Sequence, residues 1–167
     1  TINNTLTAAL ATIKENNDIQ FIWQTGKYYY PQVTEAVRAA GELPNLYVTD
    51  FIKDMAAAYA ASDLVISRAG AGSISEFCLL HKPVVLVPSP NVAEDHQTKN
   101  ALALVDKQAA IYVKDSEAEA KLMDVALNTV ADDRKLKELS ENIAKLALPD
   151  SARIIAQEVI KLAEAEN

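Results

Sequence analysis

The sequence predicts an α/β domain with a doubly wound parallel sheet of the Rossmann-like type, and three observations carry that reading. Short runs rich in Val, Ile and Leu recur at 19–23, 46–48, 64–66, 84–87 and 110–113. They lack the polar alternation of a strand with one wet face, as expected when both faces of a sheet are covered. Segments with apolar residues three and four apart separate the runs, and Gly, Pro and Asn clusters punctuate the joins. Strand and helix in strict alternation give parallel pairing with helical crossovers.

The elements follow in order. Leu6, Leu10 and Ile13 form one apolar stripe of a first helix, which Asn16, Asn17 and Asp18 stop before the strand 19–23. Thr25 and Gly26 close that strand. Pro31 suits the first turn of a second helix, with Val33 and Val37 on one face and Gly41 and Pro44 ending it. The strand 46–48 leads through residues 50–54 into an Ala-rich helix, 55–61. After the strand 64–66 comes a small-residue loop, 67–73, and a helix over 74–80. The strand 84–87 lies between Pro83 and Pro88, and a helix is expected from about Ala93 to Val105. Three helices follow the last strand. Ser116 and Glu119 have capping-box spacing for the first, Leu136, Leu139, Ile143 and Leu146 stripe the second up to Pro149, and Ile155, Val159 and Leu162 stripe the third.

Composition narrows the function classes. With 167 residues, 50% apolar and 23% charged, and only four glycines and six prolines, the chain suits one ordered domain with a sizeable core. No apolar run approaches the ~18 residues of a membrane span, and the start has no basic and apolar leader pattern. A formal net charge of −7 disfavours a broad nucleic-acid surface or an anionic-lipid anchor, yet leaves room for a local phosphate pocket built from backbone amides. One cysteine excludes an internal disulfide, and a cytoplasmic location is expected. Two histidines, set far apart in the chain, and one cysteine are too few for a metal-ligand cluster, so neither a metal nor a cofactor is expected. The first residue is not Met, and a processed or truncated chain is expected.

Ligands in doubly wound sheets bind outside the carboxyl ends of the strands, which singles out loops 24–28, 49–54, 67–73 and 88–97. In 67–73 the small residues permit close backbone approach, and the next helix aims unpaired N–H groups outward; Glu76 is placed in its first turn. An ordinary turn capped by Ser73 explains the same residues equally well. In 91–100, a helix starting near Glu94 would put His96, Gln97 and Asn100 on neighbouring positions, where paired amides match vicinal sugar hydroxyls. Against this stands a solvated first turn in which Glu94 and Asp95 complement the helix dipole. Cys78 reads as a buried small hydrophobe, His81 as a cation at a helix carboxyl end, and Tyr28, Tyr29 and Tyr30 as an exposed loop.

Taken together, several segments resemble one family. Asp50, Phe51, Ile52, Asp54, Met55 and Ala56 precede Tyr59, Ala60 and the run from Asp63 to Ala71. Ser75 and Glu76, the run from Lys82 to Pro88, and Asp95, His96, Gln97, Asn100 and Ala101 follow. In this order they are similar to the C-terminal, donor-binding half of the bacterial N-acetylglucosaminyltransferases that make lipid II from lipid I, the MurG family, over essentially residues 1–167. The resemblance implies one half of a GT-B fold, holding UDP-N-acetylglucosamine as donor of an inverting transfer in peptidoglycan synthesis. It implies that Phe51 and Ile52 border uracil, the latter through its backbone, and that Glu76 binds the ribose hydroxyls. Arg68 belongs to the same donor motif. Ala69, Gly70 and Ala71 would line the sugar–pyrophosphate region, and Gln97 and Asn100 would hold the sugar hydroxyls beside His96. Thr25, Gly26 and Lys27 would edge the pyrophosphate.

The resemblance also implies missing parts. In the family a glycine-rich loop and the strand before it come immediately upstream of Thr1, and an N-terminal domain carries the acceptor cleft for lipid I, the contact with the cytoplasmic face of the membrane and the general base. A fragment without catalytic residues, binding its donor weakly and lacking the first strand, is therefore expected. Strands 19–23 and 64–66 would then pair directly, capture a strand from another chain by self-association, or await upstream residues. The rival readings are a donor-binding subunit of a split transferase, a UDP-sugar epimerase and a non-catalytic UDP-sugar-binding module.

Overall fold

The computed structural model describes residues 1–92 and 95–165. The chain opens with two short helices, α1 (Ile2–Ala8) and α2 (Leu10–Glu15). Ala9 interrupts them at φ −92° and ψ 11°, although its N–H still reaches the carbonyls of Thr5 and Leu6. The expected stripe survives the break, because Leu6, Leu10 and Ile13 pack into one cluster with Trp23 and Val33. The strand β1 (Phe21–Gln24) pairs in parallel with β2 (Leu46–Thr49), Phe21 opposite Leu46, and α3 (Tyr30–Ala40) connects them, with Pro31 in its first turn and Gly41 at φ +88° after its end.

Two asparagines hold this part in place. Asn45 is 3% exposed, and its Nδ2 donates to the carbonyls of Ile13, Asn16 and Ile19 at 2.8, 3.0 and 3.1 Å. One side chain thus satisfies the end of α2 and the turn into β1. Asn3 accepts from the Trp23 indole N–H at 2.9 Å and donates to the Thr25 carbonyl at 2.9 Å, tying α1 to β1.

A second sheet follows. After α4 (Met55–Ala61) come β3 (Val65–Ser67), α5 (Ala71–Leu79), β4 (Val84–Leu86), α6 (His96–Val105) and β5 (Ile111–Tyr112). The strands pair in parallel in the order β3-β4-β5. On one face, Phe77 and Cys78 of α5 and Ala101 and Leu104 of α6 pack against Val84 and Leu86. Cys78 is 5% exposed, and burial pushes its thiol up from the ordinary value, in keeping with a packing role.

The two sheets do not pair with each other. The Phe21 N–H donates to the Asn45 carbonyl at 2.8 Å and the Val65 N–H to the Pro83 carbonyl at 3.0 Å, so direct closure of β1 on β3 is ruled out. The helix α7 (Ala118–Val130) spans them instead. Its Ala118 and Leu122 pack with Val85, Val87 and Val113, while its Met123 joins Leu10, Ile13 and Trp23. Coverage of both sheet faces is also incomplete. On β1 and β2 the alternate side chains Ile22 and Tyr47 are 46% and 63% exposed, because the seven-residue α4 buries none of its own residues against them.

The chain finishes with α8 (Asp133–Ala144) and α9 (Ser151–Ala165). Leu139 and Ile143 are buried as expected, and α8 stops five residues before Pro149. The stripe of α9 stays exposed, with Ile155, Val159 and Leu162 at 64%, 60% and 69%. The capping box at Ser116 does not form. Residues Asp115–Glu117 make a 3-10 turn, Glu117 takes the capping position of α7, and no side chain caps it. The cause is Asp115, which is drawn to Arg68.

Candidate functional site

All five strands run in the same sense within their sheets, so the four loops singled out above lie at carboxyl ends. After β1, Thr25 is 5% exposed and its Oγ1 donates within the fold, to the carbonyls of Gly26 and Thr49 at 3.0 and 3.3 Å. Gly26 stands at φ +77° with open space where a Cβ would be, a backbone that favours glycine. Lys27 is exposed, and Tyr28, Tyr29 and Tyr30 begin α3 at the surface as expected.

After β2, Phe51 is 60% exposed, and with Ile22, Tyr47, Ile52 and Ala58 it lines a hollow of about 550 Å³. Of the Ile52 backbone, expected to border uracil, the N–H donates to Gln24 Oε1 at 2.8 Å. The Ile52 carbonyl has no such partner among the described residues. Asp54 caps α4, accepting from the Ala57 N–H at 2.9 Å.

After β3, the expected Ser73 cap is replaced by Gly70, which sits extended at φ −69° and ψ 140°, and the helix begins at Ala71. Glu76 therefore lies in the second turn and not the first. The N–H groups of Ala71, Gly72 and Ser73 have no hydrogen-bond acceptor among the described residues. Neither glycine here is required by the chain itself. Gly70 has an ordinary φ with its nearest neighbour 4.0 Å from an added Cβ, and an added Cβ at Gly72 meets nothing within 4 Å. Glu76 is exposed and accepts from the Tyr59 hydroxyl at 3.2 Å.

After β4, Ala93 and Glu94 lie outside the described residues, so the expected helix start at Ala93 and the dipole role of Glu94 are not described. The helix α6 opens at His96, which is exposed, and Asp95 before it takes the left-handed conformation at φ +54°. Gln97 and Asn100, three apart on α6, turn together onto Ala69. Gln97 Oε1 accepts from the N–H of Ser89 at 2.9 Å and of Ala69 at 3.3 Å, and Asn100 Nδ2 donates to the Ala69 carbonyl at 3.2 Å. The two amides thus brace the loop after β3 against the loop after β4, and Ala69, fully buried, has both backbone groups engaged. The opposite ends of the amides, Gln97 Nε2 and Asn100 Oδ1, have no partner among the described residues.

Arg68 turns away from this group. Its Nη1 donates to the carbonyls of Val87 and Pro88 at 3.0 and 3.1 Å and pairs with Asp115, whose other oxygen accepts from Thr1 Oγ1 at 2.7 Å. Burial alone would push the Asp115 carboxyl up. The hydrogen bonds from Arg68 and Thr1 and the charge of Arg68 outweigh it and hold the group below the ordinary carboxylate value. A depressed folded pKa stabilises the fold above the unfolded value of about 3.9 and stops doing so as pH falls through the folded value. Asp115→Asn is expected to cost about 1–2 kcal/mol at neutral pH. Thermal midpoints of the two proteins should converge in acid, and a gap that stays constant with pH would refute the assignment.

Asn3, Gln24, Asn45 and Tyr59 hold contacts that no sequence motif announces. An asparagine after Pro44 at a strand start and a tyrosine alone in an Ala-rich helix were the available signals, since each places a polar tip where backbone or side-chain partners converge.

Comparisons with known proteins bear on the family and the fold. The family model for the glycosyltransferase family 28 C-terminal domain matches residues 1–155. A Bacteroides fragilis protein is 79% identical over 164 residues, 98% of this chain and 43% of its own length, and a Phocaeicola vulgatus protein is 66% identical over the same span. Both are named UDP-N-acetylglucosamine–N-acetylmuramyl-(pentapeptide) pyrophosphoryl-undecaprenol N-acetylglucosamine transferase. The crystal structure of Acinetobacter baumannii MurG superposes with a TM-score of 0.78 at 26% identity, covering 95% of this chain and 48% of that one. The chain spans less than half the length of these relatives.

Proposed function

This chain belongs to the glycosyltransferase family 28 C-terminal domains, and we propose that it is the donor-binding half of a transferase moving N-acetylglucosamine from UDP-N-acetylglucosamine to the lipid-linked muramyl-pentapeptide named in its relatives. The observation that carries the reading is the row of amides at Ala71, Gly72 and Ser73, unpartnered among the described residues, beside two glycines that the fold itself does not require. An anion resting on those amides satisfies them, and missing Cβ atoms let a diphosphate approach the backbone.

The other groups fall around that point. Phe51 and the Ile52 carbonyl border the uracil, and Glu76 accepts from the ribose hydroxyls. Gly70 and Ala71 line the pyrophosphate, with Gly26 and Lys27 at its edge. Gln97 Nε2 and Asn100 Oδ1, the amide ends left over from bracing Ala69, meet the sugar hydroxyls beside His96. Arg68 supports the loop from behind through Asp115. In the reaction the acceptor hydroxyl attacks the anomeric carbon, the bond to the diphosphate breaks, and UDP leaves with the electron pair. Fixed amides at a helix start stabilise the charge that grows on it. On this reading the general base that takes the acceptor's proton, the acceptor cleft and the contact with the cytoplasmic face of the membrane are supplied from outside residues 1–167. No helix among the described residues is long and apolar enough to cross a membrane.

Calorimetric titration tests the reading. The chain should bind UDP-N-acetylglucosamine more tightly than UDP, and Asn100→Ala should remove that preference, a loss of about five- to thirty-fold on the sugar nucleotide alone. Equal affinity of the unaltered chain for both ligands would sink the sugar assignment.

A further inference from the structure

We propose that Tyr59 is a positioning residue that orients the Glu76 carboxylate for the hydroxyls of a ribonucleotide. The inference rests on the reading of Glu76 given above and adds to it the residue that makes the carboxylate selective. In the helix Met-Ala-Ala-Ala-Tyr-Ala-Ala, Tyr59 is the one side chain with a polar tip. Its ring packs edge-on against Phe77, with centroids 5.9 Å apart and planes at 89°, and Phe77 is 1% exposed. A ring wedged on an immobile neighbour has little freedom, and its hydroxyl is delivered to Glu76 Oε2 at 3.2 Å.

The surroundings fix the spacing of the two helices. Ser62 Oγ donates to the Tyr59 carbonyl at 3.0 Å, and Lys82 Nζ, from the turn after α5, donates to the Ser62 carbonyl at 2.8 Å. At the other end Asp54 caps α4 directly after Phe51 and Ile52. One short helix therefore links the hollow assigned to the base with the carboxylate assigned to the ribose. An exposed glutamate on a helix otherwise samples several rotamers. The phenol selects one of them, and because it occupies Oε2, Oε1 is left to accept from a ligand. Burial, followed by the hydrogen bond and charge of Glu76, pushes the phenol pKa up, so Tyr59 remains a neutral donor.

The test compares UDP with 2′,3′-dideoxyuridine diphosphate, which lacks both hydroxyls, by calorimetry on the chain and its variants. Tyr59→Phe keeps the ring against Phe77 and removes only the hydroxyl. It should weaken UDP binding about three- to ten-fold and leave binding of the dideoxy nucleotide unchanged. In a Glu76→Ala background the same substitution should have no further effect. Equal loss on both nucleotides, or no loss on either, overturns the proposal. Glu76→Gln separates the two levels of the argument. If Glu76→Gln is selective for UDP while Tyr59→Phe is not, only the role of Tyr59 fails. If Glu76→Gln affects both nucleotides equally, the ribose reading fails and Tyr59 falls with it.

Discussion

Replacing Glu76 with alanine is expected to weaken UDP binding by about ten- to a hundred-fold, with the melting temperature unmoved. A carboxylate that accepts from two ribose hydroxyls makes charge-assisted bonds, and losing the pair at a surface site amounts to about 1.5–3 kcal/mol. The stability side of the forecast comes from the structure. Glu76 is exposed, makes no salt bridge among the described residues, and its hydrogen bond to Tyr59 is 3.2 Å long. Removing it leaves Phe77 buried and the first turn of α5 untouched, so stability should change by less than about 0.5 kcal/mol. Titration with UDP alongside thermal unfolding reads both quantities. An unchanged Kd would remove Glu76 from the site, and a Kd loss accompanied by a matching fall in melting temperature would assign it a structural role.

Asn45→Ala should do the reverse. Three carbonyls, from Ile13, Asn16 and Ile19, converge on one buried amide group; alanine removes that donor, and only Ile13 and Asn16 still accept a backbone N–H, from Asn16 at 3.3 Å and Ile19 at 3.1 Å. An unmet buried polar group costs about 1–3 kcal/mol, and with two of the three carbonyls still partnered the expected loss is about 1–3 kcal/mol in total. The same substitution frees the end of α2 and the start of β1, which carries Thr25, Gly26 and Lys27 on its far side. Urea unfolding should show a lower midpoint at an unchanged slope. A loss below about 0.5 kcal/mol would mean that the turn at residues 16–19 holds itself.

Much of the fold was legible because strands buried in a parallel arrangement leave a local mark. Val84 to Val87 and Leu64 to Ile66 announce themselves as apolar runs whatever they pair with. The pairing itself leaves none. Periodicity told that 19–23 and 64–66 were strands, and it could not tell that Phe21 bonds toward β2 and Val65 toward β4. Boundaries failed where a distant group won a local residue. Asp115 goes to Arg68, 47 positions away, and the capping turn at Ser116 yields to a 3-10 turn. The helix after β3 starts early because Gly70, not Ser73, takes the capping position. In the candidate site, residue types were legible and second duties were not. Gln97 and Asn100 suggested hydroxyl recognition by their chemistry, but their bonds to Ala69 span 28 and 31 positions and exist only once the strands are adjacent.

The unpaired strands β1 and β3 have a mechanical consequence. The hollow beside Phe51 belongs to one sheet, and the amides before α5 together with Gln97 and Asn100 belong to the other. On the donor site proposed above, a nucleotide sugar would bridge the two sheets, which share no backbone ladder among the described residues. Along the seam, adjacent residues of α7 grip opposite sides, Leu122 on the larger sheet and Met123 on the smaller. Since neighbouring helical positions point about 100° apart, a small rotation of α7 becomes shear between base and sugar subsites. If that site is correct, donor affinity is a gauge of the alignment, and volume changes at Leu122 or Met123, which lie in the core between helix and sheets, should register in it.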